Sequence, residues 1–388
     1  MKHDWKYKRL GDVLLFDKRF NGLPQGEQEK VVKFSHVSAE KLKELYVENG
    51  DVRLISTGNY DGTTTIENAG ENLSKGEIIT IPTGGVANIK YYNGYFVDSG
   101  NIIAVSSDPT NWMRYIFYAM IANKDTINSF YRGVSIKHPY MPDIYNITIP
   151  VPPLPIQKQI VSLLDNLNLV IEKKKQQIEE LDNLTQAIFY DMFGDIDTIL
   201  LKWETKTMVE VCKIIVDCPH TTPIKSEVPT EYPCIRTSEL RGGFIHWGSM
   251  QYVSKNEYEK RISRLTPQSG DIVYGREGSF GDAVVLPQGW HFCLGQRTML
   301  FRPDNDIVCT HFLHRVLISD VVLRQAQDKN VASTVAHVNV KDIKQFVIPI
   351  PPLPLQQAFA EKVEAIERQK ELINQSIKAN IFTEVVFL

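Results

Sequence analysis

The chain has 388 residues, of which 43% are hydrophobic and 23% are charged, a composition typical of a soluble protein with enough apolar residues for two domains. Its formal net charge of −3 argues against a protein that binds nucleic acid mainly by neutralising phosphates, so such contacts must be local or be supplied by a partner. The amino terminus lacks an apolar signal region, and no apolar run is long enough to span a membrane, so we expect a cytoplasmic protein.

The cysteines indicate a reducing environment. All five lie in the second half of the chain, and no two of them form a Cys-x-x-Cys pair. Their number is odd, which does not suit a complete disulfide framework. We therefore expect free thiols, and we predict no metal-binding residues.

The first part of the chain, residues 1–150, has the pattern of a mixed α+β domain. A short amphipathic element starts at Trp5, and strands are predicted for Val31 to Val37, Glu77 to Ile81 and Asn101 to Val105. The apolar stripe of Trp112 to Lys124 predicts a helix. We interpret the aromatic residues as core residues rather than as base-stacking platforms.

A polar loop follows the second of these strands. It contains Thr83-Gly84-Gly85, with Asn88 and Lys90 close behind, and it lacks the glycine and lysine spacing of an NTPase phosphate loop. Two interpretations remain open here. The loop either approaches a ligand closely through its backbone and short side chains, or it is an ordinary hairpin.

A proline-rich motif occurs once in each half of the chain. The segment 149–157 (IPVPPLPIQ) returns as 348–356 (IPIPPLPLQ), and His138 and Asp143 precede the first copy just as His337 and Asp342 precede the second. Such a repeat predicts two copies of one unit. The prolines predict a stiff, extended segment close to polyproline II, with Pro155 in the first turn of a helix. It is either a ligand for an aromatic groove or, as we favour, a rigid joint that fixes the direction of the following helix.

A long helix with heptad spacing is predicted after each joint, with polar interruptions at Lys174 and Lys370. About 35 residues of helix would extend roughly 50 Å. Antiparallel pairing of the two helices would hold two domains apart, and a partner-binding role for the same helices is compatible with it. The predicted helix-pairing and partner-docking residues are Ile160, Leu164, Leu167, Ile171, Ile178, Leu181, Phe359, Val363, Ile366, Ile373 and Ile377.

The second half repeats the framework of the first with different polar loops. The predicted divisions are therefore domain one at 1–150, joint and helix at 151–195, domain two at 196–349, and joint and helix at 350–388. Three loops of domain two carry arginine: Arg236 with Thr237, Arg276 in the segment 274–281, and Arg297 beside Gln296. An arginine fork in such a loop suits bidentate reading of guanine or a phosphate contact. For any one of these arginines we favour a solvated surface, and only the three loops together make the two interpretations equal.

No catalytic motif accompanies these loops. The chain contains neither a His-Glu-x-x-His pair nor the Asn/Asp-Pro-Pro-Tyr tetrapeptide of amino-methyltransferases. We therefore interpret the chain as non-enzymatic.

The duplicated joint, the long helices and the domain starts at Trp5 and Trp203 resemble the specificity (S) subunit of type I restriction–modification systems along the whole chain. The resemblance implies two α+β target recognition domains separated by two long helices that form an antiparallel coiled coil. Each domain would read half of a bipartite site in double-stranded DNA, and the helices would set the gap.

The resemblance also implies partners and a cofactor. Two methyltransferase (M) subunits would dock on the helices and carry S-adenosylmethionine, restriction–translocase (R) subunits would join them, and this chain would hold no cofactor itself. The alternatives are the specificity component of another DNA-modification complex, or a scaffold that does not read DNA. The candidate DNA contacts are Thr83, Asn88, Lys90, Arg132, Lys137, Arg236, Thr237, Tyr274, Arg276, Ser279, Gln296 and Arg297.

Overall fold

The computed structural model describes residues 5–18, 20, 22–23, 32–59, 61–195, 198–277, 281–329 and 338–387, with side chains described as far as residue 380. The chain divides into two compact units. The first comprises Met1–Lys174 and Gln375–Leu388, and the second comprises Lys175–Asn374. Each boundary falls within a long helix.

The first unit is built on a six-stranded sheet with the order β2-β7-β5-β6-β3-β4, in which only β3 and β6 are parallel neighbours. The strands β1 and β10 form a separate pair, as do β8 and β9. The strands are β1 Lys6–Arg9, β2 Leu14–Phe16, β3 Val52–Ile55, β4 Asp61–Thr64, β5 Ser74–Pro82, β6 Lys90–Asp98, β7 Asn101–Ser106, β8 Tyr131–Arg132, β9 His138–Pro139 and β10 Thr148–Val151. The helices are α1 Leu10–Val13, α2 Ala39–Glu44, α3 Ile66–Ala69, α4 Met113–Ala122, α5 Lys124–Ser129, α6 Met141–Tyr145 and the start of α7 Leu154–Phe193.

The core of the first unit lies between this sheet and helix α4. Alternating residues of β5 and β7, among them Ile79, Ile81 and Ala104, are buried against Ile116 and Met120 of α4. The 3.6-residue stripe of the helix and the two-residue period of the strands thus bury one common apolar surface. The predicted strands Glu77 to Ile81 and Asn101 to Val105 and the predicted helix are confirmed.

One strand prediction in the first unit is wrong. Residues 32–37 form no strand and contribute a single bridge, from His36 to Asp98, while Val31 lies outside the described residues. The apolar residues there pack individually: Phe34 lies against Phe96, with ring centroids 5.6 Å apart. The β-branched composition of the segment reflects this burial rather than pairing in a sheet.

The second unit has a four-stranded sheet with the order β12-β18-β15-β16, a three-stranded sheet β14-β13-β17 and the pair β11-β19. The strands are β11 Glu204–Thr207, β12 Cys212–Asp217, β13 Pro233–Ile235, β14 Gln251–Tyr252, β15 Ile272–Gly275, β16 Ala283–Val285, β17 Cys293–Leu294, β18 Thr298–Pro303 and β19 Val347–Ile350. The helices are the end of α7, α8 Ile199–Lys202, α9 Met208–Val211, α10 Lys255–Arg261, α11 Thr310–Leu317, α12 Asp320–Asp328, α13 Val340–Ile343 and α14 Leu353–Phe387.

The two units share one framework. The order β2-β7-β5-β6 in the first corresponds to β12-β18-β15-β16 in the second, and the parallel pair β3–β6 corresponds to β13–β17. In both, a one-turn helix (α1 or α9) precedes the first strand of the sheet. The predicted fold class, two similar mixed domains with two long antiparallel helices, is confirmed.

The joint is a paired strand rather than free polyproline II. Strand β10 pairs antiparallel with β1, placing Pro150 opposite Tyr7, and β19 pairs with β11, placing Pro349 opposite Thr205. Proline is tolerated because each joint strand belongs to a two-stranded sheet, where a missing N–H can face outwards. The first strand of each domain therefore pairs with the joint strand at the end of that domain.

The two long helices run antiparallel within the second unit. Helix α7 has 40 residues and α14 has 35. Asp182 of α7 contacts Lys370 of α14, and further along α7 Phe189 contacts Phe359, an earlier residue of α14. In the first unit, Lys174 of α7 donates a hydrogen bond to Ser376 of α14.

Candidate nucleic-acid interface

The hairpin formed by β5 and β6 holds three of the candidate DNA contacts. Thr83 Oγ1 donates to the Gly100 carbonyl at 2.5 Å, and Asn88 Nδ2 donates to the Gly58 carbonyl at 2.7 Å. Lys90 Nζ forms an ion pair with Asp61 at 2.7 Å. These polar groups tie the hairpin to neighbouring strands, so its shape is held before any ligand arrives.

The β8–β9 hairpin lies against that loop. The Gly85 N–H donates to the Lys137 carbonyl at 2.9 Å, and a ring nitrogen of His138 lies 2.6 Å from the Thr83 carbonyl oxygen. Arg132 is ion-paired with Asp143 at 2.5 Å and covers the ring of Tyr140. We call residues 83–88 and 132–138 the first loop surface, because the structure brings them together.

Three apolar side chains project from the first loop surface, and the sequence interpretation did not single them out. Val86, Val134 and Ile136 are all exposed. Exposed apolar tips beside arginine and lysine suit contact with the methyl group of thymine as well as with polar base edges. The sequence feature that could have identified them is that each is an isolated apolar residue within a polar loop segment.

In the second unit, Arg276 is buried in ion pairs. Its side chain is 7% exposed, with Nε 3.1 Å from Asp217 and Nη1 3.0 Å from Glu277. A guanidinium held between two carboxylates has little surface left for a base. The prediction that Arg276 meets DNA directly is therefore not supported by its position.

The exposed edge of the same cluster is formed by Arg297, Gln296 and His220. Arg297 Nε lies 3.2 Å from Glu277, and its side chain is 56% exposed. His220 Nε2 lies 3.2 Å from Asp217, and Gln296 Nε2 donates to the His220 carbonyl at 3.3 Å. We call these three residues the second loop surface. The candidate Ser279 lies outside the described residues.

Other candidates of the second unit support the fold: Tyr274 lies in the core and Arg236 pairs with a buried carboxylate. Tyr274 is fully buried in the core, where burial raises the pKa of its hydroxyl. Its inclusion among the DNA contacts is corrected, since no part of the side chain reaches the surface. Arg236 pairs with the buried Glu239 at 2.6 Å, and Thr237 begins the 3₁₀ turn that ends at Glu239.

Buried charge also supports the first unit, at a place the sequence interpretation missed. The two ring nitrogens of His36 lie 2.5 Å from Asp17 and 2.7 Å from Asp98, and both carboxylates are buried. Hydrogen bonds to Asp17 and then to Asp98 raise the pKa of His36 to about 9, so the ring is charged at neutral pH. Asp17 follows β2 just as Asp217 ends β12. Aligning the two halves of the sequence would have matched these two aspartates.

The glutamine that ends each joint motif is a buried clamp. Gln157 Oε1 accepts the backbone N–H of Trp112, the residue before α4, at 3.0 Å, and its Nε2 donates to the Pro152 carbonyl at 2.8 Å. Gln356 does the same with Cys309, the residue before α11, at 2.8 Å, and with Pro351 at 2.8 Å. Each clamp connects the start of a long helix to the domain that precedes it.

The first residues of the predicted helix seam have a partner other than the second long helix. Leu164 is buried against Tyr115 and Tyr118 of α4, with Ile160 packed beside it. Asp165 reinforces this contact by pairing with Arg114 at 2.8 Å. The heptad spacing marks a buried stripe correctly, but here the stripe packs on the domain.

The remaining predicted seam residues are buried or half-buried where the helices continue. Phe359 and Val363 join the core of the second unit, where Phe359 lies 5.5 Å from Phe193 between ring centroids. The other positions share the same inward-facing stripes: Leu167, Ile171, Ile178, Leu181, Ile366, Ile373 and Ile377. Their role in docking a partner stays a prediction.

Comparison with known proteins identifies the family. Residues 2–183 and residues 201–381 each match the family model described as type I restriction modification DNA specificity domain. The chain belongs to this family. Each matched segment contains one loop surface, one joint and most of one long helix, so the family assignment covers both units.

Known specificity subunits are similar along much of the chain. The type I restriction enzyme MjaVIII specificity subunit of Methanocaldococcus jannaschii is 23% identical over 401 residues, covering 95% of this chain and 87% of that protein. The EcoBI specificity subunit of Escherichia coli is 20% identical over 313 residues, covering 73% of this chain and 66% of that protein. Against the EcoBI subunit, the match therefore covers about two thirds of the relative's length.

Solved structures have a similar fold. The S subunit of a type I restriction–modification system from M. genitalium aligns with a TM-score of 0.54 at 13% identity, covering 100% of this chain and 95% of that chain. A chain from a structure of complex assembly and conformational transition in the type I system aligns with a TM-score of 0.51 at 15% identity, covering 99% and 96%. At such identities the likeness shows the fold alone.

Within the described ranges, no group of three or more histidine, cysteine, aspartate or glutamate side chains is arranged to hold a metal ion. Among those same residues, no helix is both long and apolar enough to cross a membrane. Membership assigns a DNA-recognition role, which directs attention to the two loop surfaces.

Proposed function

We propose that this chain is the DNA-reading subunit of a type I restriction–modification complex and that each unit reads one half of a bipartite site. The observation that carries the proposal is the repeated framework with unlike loops. Both units have the same strand order and the same glutamine clamp, whereas the first loop surface presents Val86, Val134 and Ile136 and the second presents His220, Gln296 and Arg297. Two copies of one fold that present different side chains suit two different half-sites.

In this proposal the joint and clamp transmit geometry from the helices to the loops. The buried Gln157 and Gln356 hold α4 and α11 against the starts of α7 and α14. A loop surface held this way cannot swing freely on its helix, so the spacing of the two half-sites follows from the helices. Two domains that read one face of B-DNA would contact it about one helical turn, roughly 34 Å, apart.

The chain itself is proposed to be non-catalytic. Methyltransferase subunits would dock on the outer faces of α7 and α14, which carry charged residues such as Lys173 and Glu179, and would bring S-adenosylmethionine with them. Restriction–translocase subunits would join through the methyltransferases. The net charge of −3 is consistent with partners that supply part of the attraction to phosphates.

A binding selection tests this function. The chain, purified with its methyltransferase subunits, is incubated with randomised duplexes, and bound DNA is sequenced. The expected result is two short motifs separated by a gap of constant length. Replacing Val134 and Ile136 with serine should change only one motif, and the matched control, Val209→Ser, alters an exposed valine outside both loop surfaces. A contiguous motif would contradict the bipartite proposal, and the absence of any preference would favour a scaffold.

A further inference from the structure

The second loop surface is the exposed end of a buried charge network. Asp217, Arg276 and Glu277 form its interior, and Arg297 and His220 are attached to its two carboxylates. Two carboxylates and two arginines balance in charge. A network with balanced charges attracts phosphate only weakly over long range. It would therefore contribute to DNA binding by orienting side chains rather than by attracting the DNA backbone.

Arg276 has the contacts of a positioning residue. Besides its two ion pairs, its backbone N–H donates to the Arg297 carbonyl at 3.0 Å, and its own carbonyl accepts from Val338 at 3.1 Å. It therefore holds both Glu277, which orients the Arg297 side chain, and the Arg297 backbone. Replacing the Arg276 side chain would remove its support of Glu277, while the backbone hydrogen bond to Arg297 would remain.

Arg297 has the contacts of a reading residue. Its backbone adopts φ 67°, a left-handed conformation that is strained for a residue with a side chain. Its Nε lies 3.2 Å from Glu277, and its two terminal nitrogens donate no hydrogen bond to another described residue. The guanidinium is thus held by one edge while the opposite fork projects from an exposed side chain.

We propose that Arg297 reads a guanine in the half-site of the second unit and that Arg276 is its positioning residue. A planar fork with two parallel donors matches the O6 and N7 acceptors of guanine in the major groove, and lysine cannot reproduce this geometry. The strained backbone is retained because it aims the fork. Gln296 and His220 flank it and supply polar contacts to a neighbouring base or phosphate. This assignment rests on the proposed function.

The decisive variant is Arg297→Gly in the complex with methyltransferase subunits. Glycine adopts a positive φ without strain, so the melting temperature should stay within about 3 °C of the wild type. Preference for guanine at one position of the second half-site should fall by about 5- to 150-fold, while the first half-site is unchanged. Arg297→Lys should lose the same preference although it keeps the charge.

Arg276→Met tests the positioning role. It should lower the melting temperature and reduce preference at the same guanine, and Arg276→Lys should restore part of that preference. The double variant Arg276→Met/Arg297→Gly should discriminate no worse than Arg297→Gly alone, because both changes remove one contact. A purely structural Arg276 would lower stability without affecting that base position.

Three results would overturn the proposal. Equal loss of affinity for all sequences in Arg297→Gly, with full rescue by Arg297→Lys, would identify a phosphate contact. Unchanged preference, or a second half-site without guanine on either strand, would show that Arg297 reads no guanine. A wild-type complex with no half-site preference would instead reject the proposed function itself, so the two failures are distinguishable.

Discussion

The two units place different cations at the corresponding end of the first sheet strand. In the first unit, Asp17 after β2 and the buried Asp98 are bridged by His36. In the second, Asp217 at the end of β12 and the neighbouring Glu277 are bridged by Arg276. The framework carboxylate is common to both, whereas the cation that neutralises it differs. The comparison shows that the two units use different side chains in the same role, a histidine in the first and an arginine in the second.

The largest expected effect comes from removing the histidine cation. His36→Leu leaves Asp17 and Asp98 buried without their positive partner, and breaking such a buried arrangement costs about 3–5 kcal/mol. Denaturant unfolding, with hydrogen exchange to locate the change, should place the loss in the first unit. A loss below about 1 kcal/mol would mean that water replaces the histidine and that the comparison is wrong.

Alkaline pH should lower the stability of the first unit more than that of the second, without any mutation. The pKa of His36 is raised to about 9 in the folded state, so its contribution is complete below the unfolded value near 6.5 and is lost as the pH rises through about 9. The expected loss between pH 7 and pH 10 is about 2 kcal/mol in the first unit, allowing for solvent screening of the partly exposed ring. Arginine does not titrate in this range, so hydrogen exchange in the β12 and β15 strands should change little by comparison.

The glutamine clamps should have equal effects, because they are the part that the units share most closely. Gln157→Leu or Gln356→Leu leaves a backbone N–H and a proline carbonyl unpaired, at a cost of about 1–2 kcal/mol each. The adjacent, exposed Gln357 provides the control, since Gln357→Leu removes no such contacts. Thermal unfolding measures stability, and DNA selection should show a wider range of spacer lengths. Identical behaviour of the Gln356 and Gln357 variants would contradict the clamp.

The smallest stability effect is expected for the polar pair between the long helices in the second unit. Lys370 lies 2.7 Å from Asp182 and covers the ring of Phe244. Replacing both with Lys370→Met and Asp182→Leu should change stability by less than about 1 kcal/mol, since apolar residues often substitute for a buried ion pair without loss. Spacer selectivity should nevertheless fall if the pair sets the register of the helices. Unchanged spacer selectivity would remove that role.

The sequence predicted the features that depend on local pattern. The repeated joint, the strands Glu77 to Ile81 and Asn101 to Val105, helix α4 and the long heptad helices follow from periodicity and proline positions. A heptad stripe specifies a buried face but not its partner, which is why Leu164 packs on α4 instead of α14. The pairing of the joint in a two-stranded sheet was not predicted because its partner strand, β1, lies far away in sequence.

The candidate site was less predictable because charge pairing is a tertiary property. Arg276 looked like an exposed loop donor, yet Asp217, brought beside it by the β12–β18–β15 arrangement, keeps it buried. Tyr274, two residues earlier, lies within strand β15 and is buried in the core, whereas Arg276 lies just beyond the end of that strand. His36 was missed because neither Asp17 nor Asp98 is near it in sequence.

We propose that two units with a common framework read two separated half-sites. Mapping N6-methyladenine across the genome, with and without this gene, tests it most directly. We expect a gapped motif of constant spacing that disappears on deletion, and in the Arg297→Gly strain a motif relaxed at one guanine of one half. A contiguous motif, or methylation unchanged by deletion, would show that the two units do not read separated half-sites.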